Sequence, residues 1–504
     1  MANDMSEKVS RRNYLGYVGT GVVGLGIGAA LGYGLAPRQV TPEIRKEIIA
    51  LSKVPSAAEA SIDWRQFEGE TFTALDLPYE RFKGFDELLL PEFERLTGIK
   101  VNLLSLGDAE LLTKTLTEAR GKGTSIDYYF VDGSGPQAQF AQLEALQSFA
   151  PLIEDASITD KEWLNLDDYF PGVIDLCKIK GDLIALPSSP ETTAIGFRKS
   201  VVEKYMGIDF VEKLRGGPTS GITYDEFKEA IEAVHMYDGK TPAFNSRHTG
   251  NVFGGIDYDP WATLNWAFGG KGVLDPETLH PWLDTPEQVA ALQWMQDVMS
   301  KYTMPGSQNW FVDEGYKSVY ESETVFSYYC TSLLSVACFD PKQTKDYGDW
   351  GIGVLPIGPA GVSARRAYVW TALDVINKNV SEKQKKVAWL WMQFKHSVDA
   401  EKLGGFYYLQ SPRNSSYETT EVQRALGAAD DFGPVYQETM NTFANKNYYG
   451  ISDKNGDYLP EVAAIIDIIG PELNAAAFGL KTPKEALSGA QAKVDKLMRD
   501  KGYY

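Results

Sequence analysis

The stretch Ile126–Leu146, IDYYFVDGSGPQAQFAQLEAL, decides how the rest of the chain is read. Its apolar and aromatic run from Ile126 to Val131 has strand character, and Asp132-Gly133-Ser134 supplies residues that turn a chain. From Gln137 to Leu146 apolar residues return at helical spacing, so the stretch predicts a strand, a loop and a helix. On the N-terminal side the same unit recurs. Thr71–Leu75 is strand-like and precedes a helical pattern through Phe85, Leu88, Leu89 and Phe93, stopped at Thr97-Gly98; Ile99–Leu106 and Leu111–Ala119 repeat the pair. Repeated strand–helix units imply an α/β fold, a largely parallel sheet with helices on both faces. Ligands of such sheets sit beyond the carboxyl ends of the strands. That places a site at Asp76–Tyr79, Gly107-Asp108 and Asp132–Ser134.

Toward the C-terminus, Thr285-Pro286-Glu287-Gln288 reads as a helix start, continued by Val289, Leu292, Met295 and Met299. Ser381-x-x-Gln384 opens another helix, with Val387, Leu390, Trp391 and Phe394 on one face. The Met and Trp residues of these runs read as core.

At the other end, Tyr17–Ala36 contains Gly19-x-Gly21-x-x-Gly24, the spacing of a dinucleotide-binding turn. That turn needs a buried strand before it, and here the preceding residues are polar and charged. Arg11-Arg12 is instead followed by an uncharged run from Asn13 to Ala36 and then Pro37, the layout of a targeting segment. Ser10-Arg11-Arg12-Asn13-Tyr14-Leu15 resembles a twin-arginine export signal. The run reaches the roughly 20 residues that span a bilayer. No cysteine follows it to make a lipid anchor, and Pro37 disturbs the small-x-small pattern Gly34-Leu35-Ala36. Residues 1–37 therefore read as an export signal or N-terminal membrane anchor, and 38–65 as a stalk.

The remaining chain is too long for one hydrophobic core. With 43% apolar and 23% charged residues it is ordinary globular protein, and its net charge of −19 argues against nucleic acid as a partner. Three cysteines and four scattered histidines make no disulfide framework and no metal-type spacing. No P-loop, HExxH or G-x-S-x-G motif is present, so the usual catalytic signatures are missing.

Several stretches resemble, in order and spacing, the extracellular solute-binding proteins of sugar-type ABC importers, the family that includes maltodextrin-binding proteins. They are SIDYYFVDGSGPQAQFAQLEALQSFAPLIED, YFPGVIDLCKIKGDLIALPSSPETTAIGFRKSVVEKYMG, GGPTSGITYDEFKEAIEAV, YESETVFSYYCTSLL and WGIGVLPIGPAG. The resemblance implies a two-lobe periplasmic-binding-protein fold of type II, without catalysis, closing on a solute in the cleft between lobes. It places the lobes at 66–188 plus 359–406 and at 189–358 plus 407–504. About three crossing segments are implied, near Leu186–Thr192, Val354–Gly361 and Phe406–Arg413. The implied ligand is a mono- or oligosaccharide, and the implied partner is the membrane permease of an importer, in the periplasm or at the cell surface.

A sugar site needs carboxylates for hydroxyls and aromatic faces for C–H surfaces. Under the resemblance the candidates are Tyr79, Asp132 and Ser134 in the first lobe, and Glu191 beside the hinge. The second lobe and crossings contribute Trp261, Trp266, Tyr329, Thr331, Tyr368, Trp370 and Arg413. Trp261 and Trp266 are five apart, so a helix turns them to different faces. Ser332 and Leu334 stand where maltodextrin-type relatives carry Trp, which puts maltodextrin itself in question. A phosphate-bearing ligand would favour Arg413 as its anchor, and a polyamine would favour Asp132 and Glu191. The same residues leave room for a sensory receptor, or for a glycosidase that uses those two carboxylates. No cofactor is expected. Asp453, Asn455 and Asp457 repeat like the start of a calcium loop, but Tyr458 and Ala464 break that pattern, and a surface Asn-Gly turn is the plainer reading.

Overall fold

The computed structural model describes residues 60–78, 80–132, 136–217, 219–246, 260–310, 312–331, 334, 337–338, 343–346, 348–408, 410–417 and 432–504. The targeting segment at 1–37 lies outside them.

The expected strand–helix units form. They are β1 (Thr71–Asp76) with α1 (Phe85–Thr97), β2 (Lys100–Ser105) with α2 (Asp108–Gly121), and β3 (Tyr128–Asp132) with α3 (Pro136–Gln142). Gly98 ends α1 at φ 71 and returns its N–H to the Glu94 carbonyl, a left-handed stop that glycine takes without a Cβ clash. Helix α3 is shorter than its spacing predicts. Glu144 sits at φ 50, where an α-helix cannot continue, and Leu146 has left to bridge Asn377.

Strand β4 (Leu186–Arg198) is followed by α4 (Tyr224–Val234), β5 (Phe244–Ser246), α5 (Pro260–Ala267), α6 (Pro286–Tyr302), β6 (Phe326–Cys330), β7 (Trp350–Gly353) and β8 (Val369–Ile376). Helices α7 (Glu382–Lys395), α8 (Val398–Tyr408), α9 (Phe432–Thr442), α10 (Val462–Ala477) and α11 (Pro483–Asp500) complete the order used below. Their starts follow side-chain chemistry. Thr223 and Glu226 close a reciprocal capping box on α4, Thr285 accepts from Gln288 N on α6, and Ser381 accepts from Gln384 N on α7.

Strands run in the order β2-β1-β3-β8-β4-β6-β5, with β7 also paired to β4. β1 is parallel to β2 and β3, and β5 is parallel to β6. β8 and β4 are antiparallel to their neighbours and stitch the two parallel sets together. Helix α7 buries the face read from its sequence, where Trp391 meets Phe93 at 5.1 Å, and buries residues beyond that face too: Trp389 meets Phe149 at 5.0 Å and its N–H reaches Thr159 Oγ1 at 2.7 Å.

Two expected boundaries move. The stretch read as stalk is docked before residue 65: Ser61 donates to Asp160 at 2.8 Å, and Trp64 is buried against Trp163 and Phe394. An indole with a place in the core is not left on a tether. Val354–Gly361 does not cross but stays on the β7 side. Val354 N bonds Leu214 O, Ile357 bridges Thr223, and Gly358 lies so close to Ala267 that an added Cβ would stand 2.2 Å from its carbonyl oxygen. The chain returns to the first strand set only at β8. Gly358→Ala is expected to cost about 1–3 kcal/mol in urea unfolding through that overlap. An unchanged midpoint would show that Ala267 yields freely.

Candidate functional site

Strand β4 positions the site. Its first half pairs with β8, from Leu186 opposite Asp374 to Thr192 opposite Val369. Its second half pairs with β6 and β7, from Thr193 opposite Cys330 to Arg198 opposite Trp350. Between them the register slips: Ser188 faces Ala372 and Glu191 faces Trp370, so β4 carries an extra residue. Ser189, inside this bulge, has φ 48, a left-handed value unusual for a serine. A bulge bends its strand and increases the local twist.

β1 and β3 run with the first half of β4 and end at Asp76 and Asp132, the latter opposite Ala372. β5 and β6 run the other way and end at Ser246 and Cys330, the latter opposite Thr193. The carboxyl ends of both parallel sets therefore point at one another across Ser188–Thr193, a span of roughly 16 Å at strand rise.

Several sequence candidates meet there. Glu191 is buried and shares a rung with Trp370. Trp370 is 8% exposed and packs on Phe82 at 6.5 Å and Phe130 at 6.3 Å, which meet each other at 5.6 Å. The backbone of Asp132 lies opposite Ala372, two residues along β8 from Trp370, and that of Tyr329 opposite Ala194. Thr331 is buried, and its Oγ1 accepts from Thr192 N at 3.1 Å and Gln410 Nε2 at 2.9 Å. Tyr368 is buried too; its carbonyl accepts from Thr192 Oγ1 at 2.6 Å and its ring meets Tyr448 and Tyr449. Tyr79 and Ser134 lie outside the described residues.

Other candidates are used elsewhere. Trp261 is buried within the core at the start of α5. Trp266, nearer the end of that helix, is partly exposed, donates to Tyr448 O at 2.7 Å and carries the Arg366 guanidinium 3.7 Å over its ring. Arg413 is withdrawn from any ligand. It is wholly buried, stacks on Tyr169, and donates to the carbonyls of Asn165 at 2.6 Å, Leu164 at 2.8 Å and His396 at 2.6 Å. A guanidinium committed to three carbonyls is a brace. The Asp453 turn does not fit calcium. Asp453 Oδ1 accepts from the backbone of Asn455 and Asp457, Asp457 Oδ2 accepts from Lys180 N at 2.8 Å, and Lys446 stands 3.5 Å from Asp457 Oδ1. Among the described residues no group of three His, Cys, Asp or Glu is placed to hold a metal.

Sequence reading missed a buried ionic cluster beneath the Trp370 rung. Lys395 Nζ lies 3.5 Å from Asp76, 2.9 Å from Asp86 and 3.0 Å from Asp374, and donates to Tyr128 OH at 2.8 Å. Asp374 also meets His396 Nε2 at 2.8 Å and Ser188 Oγ at 2.7 Å, while His396 Nδ1 meets Glu401 at 2.9 Å. A carboxylate on each ring nitrogen favours His396 as an imidazolium that donates from both. Burial disfavours that charge, but the bonds to Asp374 and Glu401 outweigh it and raise the ring's pKa. Burial likewise opposes ionisation of Asp374, yet Lys395 and His396 outweigh it and hold the carboxyl below its usual range. For Asp76 burial wins over Lys395, and its pKa is pushed well up. The available signal was a lone Asp in the apolar strand VWTALDVI and a Lys-His pair closing an apolar helix.

Two sets of parallel strands whose carboxyl ends meet across shared antiparallel strands define a two-lobed α/β binding protein that holds its ligand between the lobes. The chain belongs to the bacterial extracellular solute-binding protein family, whose model matches residues 78–397. The erythritol/L-threitol-binding protein of Mycolicibacterium smegmatis is 23% identical to it over 465 residues, covering 87% of each chain. The mannitol-binding protein of Pseudomonas aeruginosa is 23% identical over 346 residues, covering 67% of this chain and 74% of its own. Among solved structures, a solute-binding protein of Agrobacterium radiobacter K84 in complex with ribitol superposes with a TM-score of 0.68 at 22% identity, over 85% of this chain and 99% of that one. Maltose-bound MalE3 of T. maritima gives 0.67 at 22% identity, over 85% and 100%. At these identities the likeness is one of fold. The family is one of binding proteins, not enzymes, and works outside the cytoplasm with a small-molecule ligand and a membrane permease as its partners.

His396 makes stability depend on pH with a definite sign. Its folded pKa is raised, so its contribution is complete below the unfolded value near 6.5 and is lost as pH rises through the folded value. His396→Gln is expected to cost about 3–5 kcal/mol at low pH by breaking a buried pair. It should also remove this part of the slope in urea unfolding measured across that range. A variant that keeps the wild-type slope would show that His396 does not titrate there.

Proposed function

We propose that this receptor captures a short sugar or polyol between its lobes and delivers it to the permease of an ABC importer. The observation that carries the reading is the rung of Glu191 opposite Trp370, with Asp132 at the adjacent strand end, where the carboxyl ends of both strand sets meet. A carboxylate takes two hydroxyls of a polyol, and the Trp370–Phe82–Phe130 group offers an apolar face for its C–H side. Relatives named for erythritol, L-threitol and mannitol, and a neighbour solved with ribitol, support a polyol, while a maltose-bound neighbour of nearly equal fit keeps a short sugar in the ligand class. The bracing role of Arg413 removes the anchor that a phosphodiester ligand would need.

The lobes in this reading are residues 66–188 with 369–406, and 189–368 with 407–504, because 354–367 pack with the second strand set. Residues 1–37 act as a twin-arginine-type export signal or membrane anchor. Among the described residues no helix is long and apolar enough to cross a membrane, and Asn13–Ala36 is not among them. The receptor works without a cofactor, and the Asp453 turn is structural.

The test is a thermal-shift and calorimetric panel on protein unfolded and refolded to strip carried ligand. The probes are erythritol, L-threitol, ribitol, mannitol, maltose, glycerol phosphate and putrescine. A true ligand at about a hundred times its Kd adds about 2.7 kcal/mol of stability. A polyol or sugar should give that rise, and Trp370→Ala should weaken its binding roughly tenfold or more, as loss of a central aromatic anchor does. A response to putrescine or glycerol phosphate alone would overturn the carbohydrate reading.

A further inference from the structure

The ionic cluster near the rung is tied, among the described residues, to three segments that join the two strand sets. Ser188 on β4 donates to Asp374, and Asp374 is itself part of β8. The His396 carbonyl accepts from Arg413, which closes the stretch Gln410–Arg413. Gln410, at the other end of that stretch, holds Thr331 and through it Thr192. The bulge at Ser189, where β4 bends, is the next residue after the Ser188 anchor.

The cluster is also unbalanced. Four carboxyls, Asp76, Asp86, Asp374 and Glu401, face two cations, Lys395 and His396, and none is more than 2% exposed. An uncompensated charge in such a place is expensive, so the cluster lowers its cost by keeping a proton. The Asp76–Asp86 side is where it is best held, since burial and the Asp374 carboxylate push both carboxyls upward against Lys395. The other groups facing the cluster are Tyr128 on β3, Cys177 beside Asp374, and Tyr169 and Arg413 against His396.

We propose that the cluster is a proton-loaded pivot: with its extra proton it clamps the three crossing segments, and loss of that proton to water as pH rises loosens them and lets the lobes part. The release of ligand that follows rests on the receptor reading above; the loosening does not. The sign is that of a group raised on folding. Its contribution is present below the unfolded carboxyl value near 3.8 and is lost as pH rises through the folded value. One proton lost per opening raises the opening constant by up to about tenfold per pH unit.

The test is hydrogen exchange of the ligand-free full chain, with exposure times scaled to the intrinsic rate, from roughly pH 4 to roughly pH 9, each unit of which between the unfolded and folded carboxyl values shifts opening up to about tenfold. Peptides covering 186–198, 369–376 and 410–417 are expected to lose protection as pH rises in the wild type, while α11 serves as the internal reference. Asp76→Asn keeps the shape of the protonated carboxyl and has no proton to lose, so its crossing peptides should stay protected; Asp86→Asn is the second variant should the first not fold. Crossing peptides whose protection is independent of pH in the wild type, or which lose it equally in wild type and variants, overturn the pivot. Calorimetry with erythritol on the same samples should show affinity falling with pH in the wild type alone. Absence of erythritol binding at every pH would count against the polyol reading and leave the exchange result to decide the pivot.

Discussion

The carboxylate of Asp374 sets the constraint from which much of the molecule follows. It sits fully buried in β8, in the ladder between the two strand sets, and a buried charge must be met by partners or not be there. Lys395 and His396 meet it from the end of α7, Glu401 meets the far side of His396, and Ser188 ties it to β4. Each bond creates the need for the next. The end of α7, the start of α8 and the bent part of β4 are thereby held at one place. Apolar residues of similar volume often stabilise a core as well as a buried ion pair does. The ionic version adds direction, since only one placement of these elements satisfies it.

That placement is what a closing receptor requires. β4 pairs with β8 of the first strand set and with β6 and β7 of the second, so the lobes are not beads on a string but share a strand whose bend is located at the Ser189 bulge. Above the fixed point lies the rung of Glu191 and Trp370, with Asp132 at the neighbouring strand end. A residue on a strand that passes between lobes senses both, so the proposed recognition rung and the bend of β4 lie within a few residues of each other. Thr331 and Gln410 show the same economy, since one hydroxyl joins two of the crossing segments.

Much of the fold was legible because it is local. Apolar strand runs, the stop at Thr97-Gly98 and the helix starts at Thr285 and Ser381 act within a few residues, and each appears where its chemistry predicts. What was misread depends on distant chain. Helix α3 ends early because Leu146 pairs with Asn377, and Val354–Gly361 stays with the second strand set because Leu214, Thr223 and Ala267 hold it there. Arg413 looked like a ligand contact because the resemblance puts it in a cleft loop at the end of the expected crossing Phe406–Arg413. It became a brace because the carbonyls of Leu164 and Asn165 arrive from the other side.

By itself the sequence determined the α/β class, the targeting-type layout of the N-terminus, the want of catalytic motifs and the family likeness, together with candidates such as Glu191 and Trp370. The first three rest on composition, periodicity and short spacings, which hold whatever the rest of the chain does; the candidates follow from the resemblance of the quoted stretches. Only the tertiary structure decided that Glu191 faces Trp370, that Arg413 and Trp261 turn inward, and that six ionisable groups from four separate stretches share one buried site. Strand register and the pairing of buried charges are properties of contacts between residues far apart in the chain. No local pattern specifies them, because the energy that selects them exists only once the partners are brought together and water is removed.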